Sequence, residues 1–139
     1  GWDRDPAVRA RATERELVGT VCETAEAAVA GADLVILCVP VGAMGDAARA
    51  IAPGLAPHAI VSDVGSSKAA VASALAEALP GACVIPAHPV AGTEQSGPDA
   101  GFATLFAGRW CILPPPEGCD PAALHALSDF WSALGSRVE

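Results

Sequence analysis

The sequence predicts an α/β protein with a doubly wound, mostly parallel sheet. Three observations predict this class: strand-like runs alternate with helical segments, the runs are continuously apolar, and the apolar content is rich in alanine but contains only 4% aromatic residues. Alternation of strands and helices is typical of a parallel sheet with helices on its faces. Continuous hydrophobicity indicates strands that are covered on both sides.

Five runs are strand candidates. The clearest are 33–40 (DLVILCVP), 59–65 (AIVSDVG) and 82–89 (ACVIPAHP), which are rich in valine and isoleucine and end at proline or glycine. The run 109–116 (RWCILPPP) is a fourth candidate that three prolines end, and 19–23 (GTVCE) is a weaker fifth.

Three segments have helical patterns. The first begins with Asp5 as N-cap and Pro6 at the first helical position, which is a favourable helix start. The second begins after Ser66 or Ser67 as its cap and ends at Pro80. The third follows Pro121 and ends at Gly135. Apolar residues recur at helical spacing in the last two: Ala72, Leu75 and Leu79, and Leu124, Leu127, Trp131 and Leu134.

Charge and cysteine content exclude several classes of partner. With 8 basic and 16 acidic residues the formal net charge is −8, which argues against a broad basic surface for nucleic acid or an anionic membrane. No apolar stretch approaches the roughly 20 residues that span a bilayer. The five cysteines show neither C-x-x-C spacing nor a zinc-like cluster, so reduced thiols and no metal site are expected. Since the sequence also opens with no basic region followed by an apolar core, a cytoplasmic location is expected.

Polar residues that follow the strands are the candidates for chemistry, because open parallel sheets bind ligands beyond the carboxyl ends of their strands. Asp3 follows a strand end, where it either contacts a ribose or caps a helix. Ser66 lies where a strand becomes a helix, so it either helps to bind an anion or only caps that helix. His88 is either a proton acceptor or a structural histidine.

These motifs resemble those of the prephenate/arogenate (cyclohexadienyl) dehydrogenases of tyrosine biosynthesis. The resemblance rests on GWDRDP, VILCVPV and SDVGSSK, and above all on HPVAGTEQSGPDAGFATLFAGRWCILPPP, and it spans essentially the whole chain. The first three motifs would also suit other β-hydroxyacid-type dehydrogenases. The resemblance implies a Rossmann-like fold and NAD(P)-dependent oxidation of the 4-hydroxyl of a cyclohexadienyl substrate, prephenate or arogenate, with loss of CO₂.

The resemblance also implies roles for particular residues. His88 would be the catalytic base, and Ser66 would orient His88 and contact the substrate or the nicotinamide. Thr93 and Glu94 would join Ser66 at the substrate. Residues implied at the cofactor are Asp3, Arg4, Val39, Pro40 and Gly65. The carboxylate of Asp3 would favour NAD, whereas the adjacent arginine leaves NADP open.

By the same resemblance, residues 1–139 would form a partial dinucleotide-binding domain of a longer enzyme. The first strand with its glycine-rich loop and a C-terminal helical dimerisation domain would lie outside this chain, and the full-length enzyme would be a homodimer. The chain alone is therefore expected to bind NAD weakly and to lack appreciable dehydrogenase activity.

Three alternatives remain at this point. The first is another NAD(P)-dependent hydroxy-acid dehydrogenase of similar fold. The second is a hydrolase that uses Ser66, His88 and Asp63, although the sequence lacks a G-x-S-x-G elbow around the serine. The third is a non-catalytic ligand-binding module, which the missing cofactor loop favours and the polar strand ends oppose.

Overall fold

The computed structural model describes residues 1–92 and 95–139. Its helices and strands alternate along much of the chain, as the sequence predicts. In chain order they are α1 (Pro6–Glu14), α2 (Ala25–Val29), β1 (Leu34–Leu37), α3 (Met44–Ile51), β2 (Ile60–Asp63), α4 (Lys68–Ala78), β3 (Cys83–Val84), β4 (His88–Pro89), β5 (Trp110–Ile112), α5 (Pro121–Ala133) and β6 (Arg137–Val138).

The strands form two sheets. The first has the order β1-β2-β3 and is parallel throughout, with Leu34 opposite Ile60 and Ile60 opposite Cys83. The second has the order β4-β5-β6, in which β5 pairs antiparallel with β4 and parallel with β6. The predicted α/β class with a mostly parallel sheet is confirmed, whereas the separate second sheet was not predicted.

The predicted strand 82–89 is divided between the two sheets. Its first part is β3 and its last part is β4, in which His88 pairs with Ile112. Between them, the N–H of Ile85 still donates to the carbonyl of Val61 at 2.9 Å, but Pro86 has no N–H with which to continue a ladder. His88 therefore lies within a short antiparallel strand and not at the carboxyl end of a parallel one.

Two buried clusters lie on opposite faces of the parallel sheet. Strand β1 shows this directly, because Val35 and Leu37 pack into one cluster while Leu34 and Ile36 pack against the other. The first cluster includes Met44, Ala48, Val61, Val71 and Leu75, and the second includes Ile85, Ala87, Cys111, Leu127 and Trp131. Helices α3 and α4 thus cover one face and α5 the other, as expected of a doubly wound sheet.

The helix starts and inner faces agree with the sequence only in part. The side chain of Asp5 accepts from the N–H of Ala7 at 2.8 Å, so the predicted cap of α1 is confirmed. Ser67 precedes α4 but makes no capping hydrogen bond through its side chain. The fully buried residue near the start of α4 is Val71 and not the predicted Ala72, which is half-buried.

Differences also occur at the C-terminal helix and among the weaker elements. The buried positions of α5 are Ala123, Leu127 and Trp131, whereas Leu134 is 40% exposed. Residues 19–23 form no strand in the part of the chain that is described, although the N–H of Cys22 donates to the carbonyl of Gly1. Short helices α2 and α3 were not predicted. The cysteines are free thiols, and no helix among residues 1–92 and 95–139 is long and apolar enough to cross a membrane.

Candidate functional site

Four of the five residues predicted to contact a cofactor line one groove. Asp3 and Arg4 line it together with Val39 and Pro40, which follow β1. The groove has a volume of about 610 Å³, and the apolar strand β1 lies along it. The structure therefore brings together residues from two distant segments that the family resemblance implies at the cofactor.

Asp3 is held in place at this groove by its own neighbours. Its Oδ1 accepts from the N–H of Asp5 at 2.8 Å, and its carbonyl accepts from the guanidinium of Arg9 at 2.7 Å. The residue is half-buried, whereas Arg4 beside it is exposed. A fixed carboxylate at the rim of an apolar groove is suited to accept hydrogen bonds from ligand hydroxyls.

Gly65, the fifth predicted residue, lies just beyond β2 and does not line the groove. A Cβ at this position would lie 3.1 Å from Oδ2 of Asp63, 3.2 Å from Cγ2 of Val71 and 3.4 Å from Cγ2 of Val41. Gly65 therefore packs against the segment that follows Pro40. The close approach explains why this turn requires a residue without a side chain.

An ion pair with a fully buried carboxylate lies next to this turn. Asp63 is 0% exposed, and its Oδ2 accepts from Nζ of Lys68 at 2.6 Å and from the N–H of Gly65 at 2.7 Å. Its Oδ1 accepts from the N–H of Ala87 at 3.3 Å, and Nζ of Lys68 also donates to the carbonyl of Ala87. The ion pair therefore joins the end of β2 to the residue that precedes His88.

His88 lies in β4 and is half-buried. Its Nδ1 is buried and has no hydrogen-bond partner among the residues that the structure describes. Ser66 is exposed, and among the described residues no hydrogen bond joins it to Nδ1 of His88. Ser66 follows β2 and His88 follows β3, and these two strands are neighbours in the parallel sheet. The hydrogen bond from Ser66 that would orient the imidazole through Nδ1 is not made in this structure.

Cys111 lies in β5, opposite Pro89 of the strand that carries His88. Burial raises the pKa of this thiol to about 11, and a hydrogen bond from the backbone of His88 opposes part of the rise. Cys111 is 0% exposed and belongs to the second buried cluster. It is therefore a packing residue that supports β4, and its thiol is protonated at neutral pH.

A second depression follows β4 along the chain. It has a volume of about 860 Å³, and residues after Pro89 form one of its walls. Its lining includes Val90, Gly92, Phe102, Thr104 and Arg109. The sequence patterns did not single out these residues, although they fall within the long stretch that carries the family resemblance. The predicted substrate residues Thr93 and Glu94 lie outside the described residues.

The described residues contain no metal-binding cluster, since no group of three or more His, Cys, Asp or Glu side chains is suitably placed within 1–92 and 95–139. The hydrogen bonds of Asp63 go to Gly65, Lys68 and Ala87 and not to the imidazole of His88. A Ser-His-Asp relay of the hydrolase type is therefore not assembled among these residues.

Comparison with known proteins places these features in a family. The family model described as prephenate dehydrogenase, nucleotide-binding domain, matches residues 1–139. The chain is 43% identical over 137 residues to a cyclohexadienyl dehydrogenase of Zymomonas mobilis, with 99% of this chain and 47% of that protein covered.

Solved structures agree with the family match. Prephenate dehydrogenase from Aquifex aeolicus superposes with a TM-score of 0.89 at 27% identity and is matched over 100% of this chain and 50% of that chain. Arogenate dehydrogenase from Synechocystis superposes with a TM-score of 0.87 at 31% identity, over 98% of this chain and 48% of that chain. The A. aeolicus enzyme has also been solved in complex with hydroxyphenyl propionate and NAD⁺, and that structure matches with a TM-score of 0.85 at 26% identity, over 100% of this chain and 49% of that chain. The chain thus spans about half the length of these relatives.

Proposed function

We propose a function for the whole protein from the family to which this chain belongs, that of the prephenate dehydrogenase nucleotide-binding domains. The whole protein would carry out NAD(P)-dependent oxidative decarboxylation of prephenate, arogenate or both. The observation that carries the proposal is the match of the entire chain to this family together with 43% identity to a cyclohexadienyl dehydrogenase. Residues 1–139 would be the partial dinucleotide-binding part, with a helical dimerisation domain outside them and a homodimer as the assembly.

The residues that line the groove beside β1 support the proposal that this part of the chain binds a nicotinamide cofactor. Asp3, Arg4, Val39 and Pro40 line it, and we assign them to cofactor binding together with Gly65 of the adjacent turn. The carboxylate of Asp3 would accept hydrogen bonds from the adenosine ribose and would repel a 2′-phosphate, which favours NAD. The exposed guanidinium of Arg4 could meet that phosphate, so NADP remains an outcome of the assay.

The chemistry requires a proton acceptor and an acceptor of hydride, and the bound cofactor supplies the second. His88 takes the proton of the 4-hydroxyl as hydride leaves C4. The ring ketone that results is conjugated to the quaternary carbon that bears the carboxylate. That carboxylate leaves as CO₂, and its bonding electrons pass through the ring to the ketone oxygen to give an aromatic phenolate. The phenolate takes the proton back from His88, which yields the phenol and restores the neutral imidazole.

The burial of Nδ1 of His88 favours Nε2 as the ring nitrogen that faces the substrate. A protonated imidazole donates from both nitrogens, so the buried Nδ1 then needs an acceptor. We assign this task to Ser66, which follows β2, the neighbour of the strand β3 that precedes His88. Its hydroxyl would turn towards Nδ1 of His88 when substrate binds. Thr93 and Glu94 are proposed to contact the substrate.

Assay of the whole protein tests the proposal. Prephenate and arogenate are each offered with NAD⁺ and with NADP⁺, and reduced cofactor, CO₂ and the phenolic product are measured together. Equal amounts of all three are expected for at least one pair. A folded protein that oxidises neither substrate with either cofactor would contradict the proposal, and oxidation of a simple hydroxy acid instead would favour the alternative dehydrogenase.

A further inference from the structure

We propose that Asp63 and Lys68 are positioning residues for His88, so that a partly buried ion pair sets the geometry of the proton acceptor. The inference rests on the proposed function, which makes His88 that acceptor. It concerns two residues that would touch neither substrate nor cofactor. Neither residue was assigned to the dehydrogenase site by the sequence patterns.

The ion pair binds both polar groups of Ala87. The N–H of Ala87 donates to Oδ1 of Asp63 at 3.3 Å, and its carbonyl accepts from Nζ of Lys68. That carbonyl belongs to the peptide unit that is bonded to the nitrogen of His88. Ala87 itself is 0% exposed. The backbone immediately before the imidazole is therefore fixed on both sides by one pair of side chains.

The same carboxylate fixes the turn that carries the other predicted catalytic residue. Oδ2 of Asp63 accepts from the N–H of Gly65, next to Ser66. One buried group thus sets the relative position of the segments that carry Ser66 and His88, which are about 20 residues apart in sequence. Loss of the carboxylate would release both segments at once.

The placement of Lys68 in α4 explains how a lysine reaches this interior position. Val71, Leu75 and Leu79 form the buried stripe of the helix, and Lys68 lies three residues before Val71 on the same face. Its side chain is 24% exposed, so its aliphatic part lies along the buried surface while the ammonium group meets Asp63. Lys68 is also the only lysine in the sequence.

Stability alone accounts poorly for such a pair. Desolvation offsets much of the attraction between buried charges, and apolar residues of similar volume often give an equally stable fold. Fixed hydrogen bonds to a backbone that carries a catalytic group, by contrast, matter directly because small displacements of a reacting group slow the reaction. The ion pair is therefore explained better by geometry than by stability.

The test uses the whole protein and compares Asp63→Asn and Lys68→Met with Asp33→Asn as the matched control. Asp33 pairs with His58 at 3.1 Å, but both are exposed and lie at the amino ends of β1 and β2, the opposite end of the sheet from Ala87. We expect kcat to fall about 10- to 100-fold in the first two variants, with KM little changed, and to stay at the wild-type value in the control.

The effect should depend on His88. In a His88→Asn background Lys68→Met should lower kcat little further, since the group that the ion pair positions is already absent. An equal loss in both backgrounds would overturn the proposal. If Lys68→Met does not fold, Asp63→Asn combined with Lys68→Met leaves no unpaired buried charge and takes its place in the same comparison.

A measurement without turnover separates this proposal from the proposed function. In the whole protein with ¹⁵N-labelled histidine, the amide and imidazole resonances of His88 should shift in Asp63→Asn and stay fixed in Asp33→Asn. Unchanged resonances in both variants would overturn the positioning role. Absence of activity towards prephenate and arogenate in the wild type would contradict the proposed function alone.

Discussion

The guanidinium of Arg11 lies 2.7 Å from Oδ1 of Asp99, although 88 residues separate them. Arg15 contacts the same oxygen at 2.9 Å, so two residues at the end of α1 hold one carboxylate of the segment that follows the His88 strand. The hydrogen bond from Arg11 is the main cause that lowers the pKa of Asp99 below its usual value. The contact links the helix next to Asp3 with the segment around Asp99.

This pairing predicts a pH-dependent contribution to stability. Because the pKa of Asp99 is lower in the folded state, its contribution is present above the usual carboxylate pKa of about 3.9 and is lost as the pH falls through the folded value. Asp99→Asn should therefore lower the melting temperature near neutral pH and not in acid. The difference should also shrink with added salt. A difference that persists at acidic pH would contradict the assignment.

Gly65→Ala should destabilise the domain, whereas Gly42→Ala should not. A Cβ at Gly65 would lie 3.2 Å from Cγ2 of Val71 and 3.1 Å from Oδ2 of Asp63, while a Cβ at Gly42 would meet nothing within 4 Å. Crowding of this kind costs about 1–3 kcal/mol. Urea denaturation of the two variants measures the difference, and equal midpoints would show that the turn can yield to a methyl group.

His88→Asn should lower kcat of the whole protein far more than it changes KM. Removal of a positioned general base typically costs about 10²–10⁴-fold in rate, while asparagine keeps some ability to bind the 4-hydroxyl. His125→Asn serves as the control, because that histidine is exposed on α5 beside Asp129. Steady-state kinetics decide the matter, and an unchanged kcat would remove His88 from the mechanism.

The chain of residues 1–139 should bind NAD weakly when it is isolated. The groove offers Asp3, Val39 and Pro40, but these 139 residues contain no G-x-G-x-x-G loop to hold the pyrophosphate at a helix N-terminus. Calorimetry of the isolated chain should show affinity weaker than micromolar. Micromolar binding would mean that the groove alone supplies the essential contacts.

The parallel sheet could be predicted because its strands are continuously apolar. The structure gives the reason, since successive side chains of a strand such as β1 pack into clusters on opposite faces of the sheet. Periodicity could not show that residues 82–89 change sheets, since an apolar run looks the same whichever neighbour it pairs with. Pro86 is present in the sequence, but only the pairing of His88 with Ile112 shows that the chain changes sheets at this proline. The short helix α3 was not predicted because Gly42 and Gly45 lie at its start, and glycine has a low helix propensity.

The sequence indicated candidate site residues by their position after predicted strands, and their roles stay predictions. The strand-end rule led to Asp3 and Ser66, and the groove gathers Asp3 with Val39 and Pro40. The ion pair between Asp63 and Lys68 was not found, because its importance depends on a contact with Ala87, 24 residues from Asp63. A single lysine on the apolar face of α4 was the one signal that could have indicated it.

Residues 85–87 join the two sheets. Their backbone hydrogen-bonds to β2, while the side chains of Ile85 and Ala87 belong to the cluster beneath α5. Neither sheet can separate from its neighbours without disrupting contacts of the other, so both should unfold as one cooperative unit. Amide hydrogens of Ile60 in the first sheet and Leu113 beside the second should then exchange with deuterium through the same global opening.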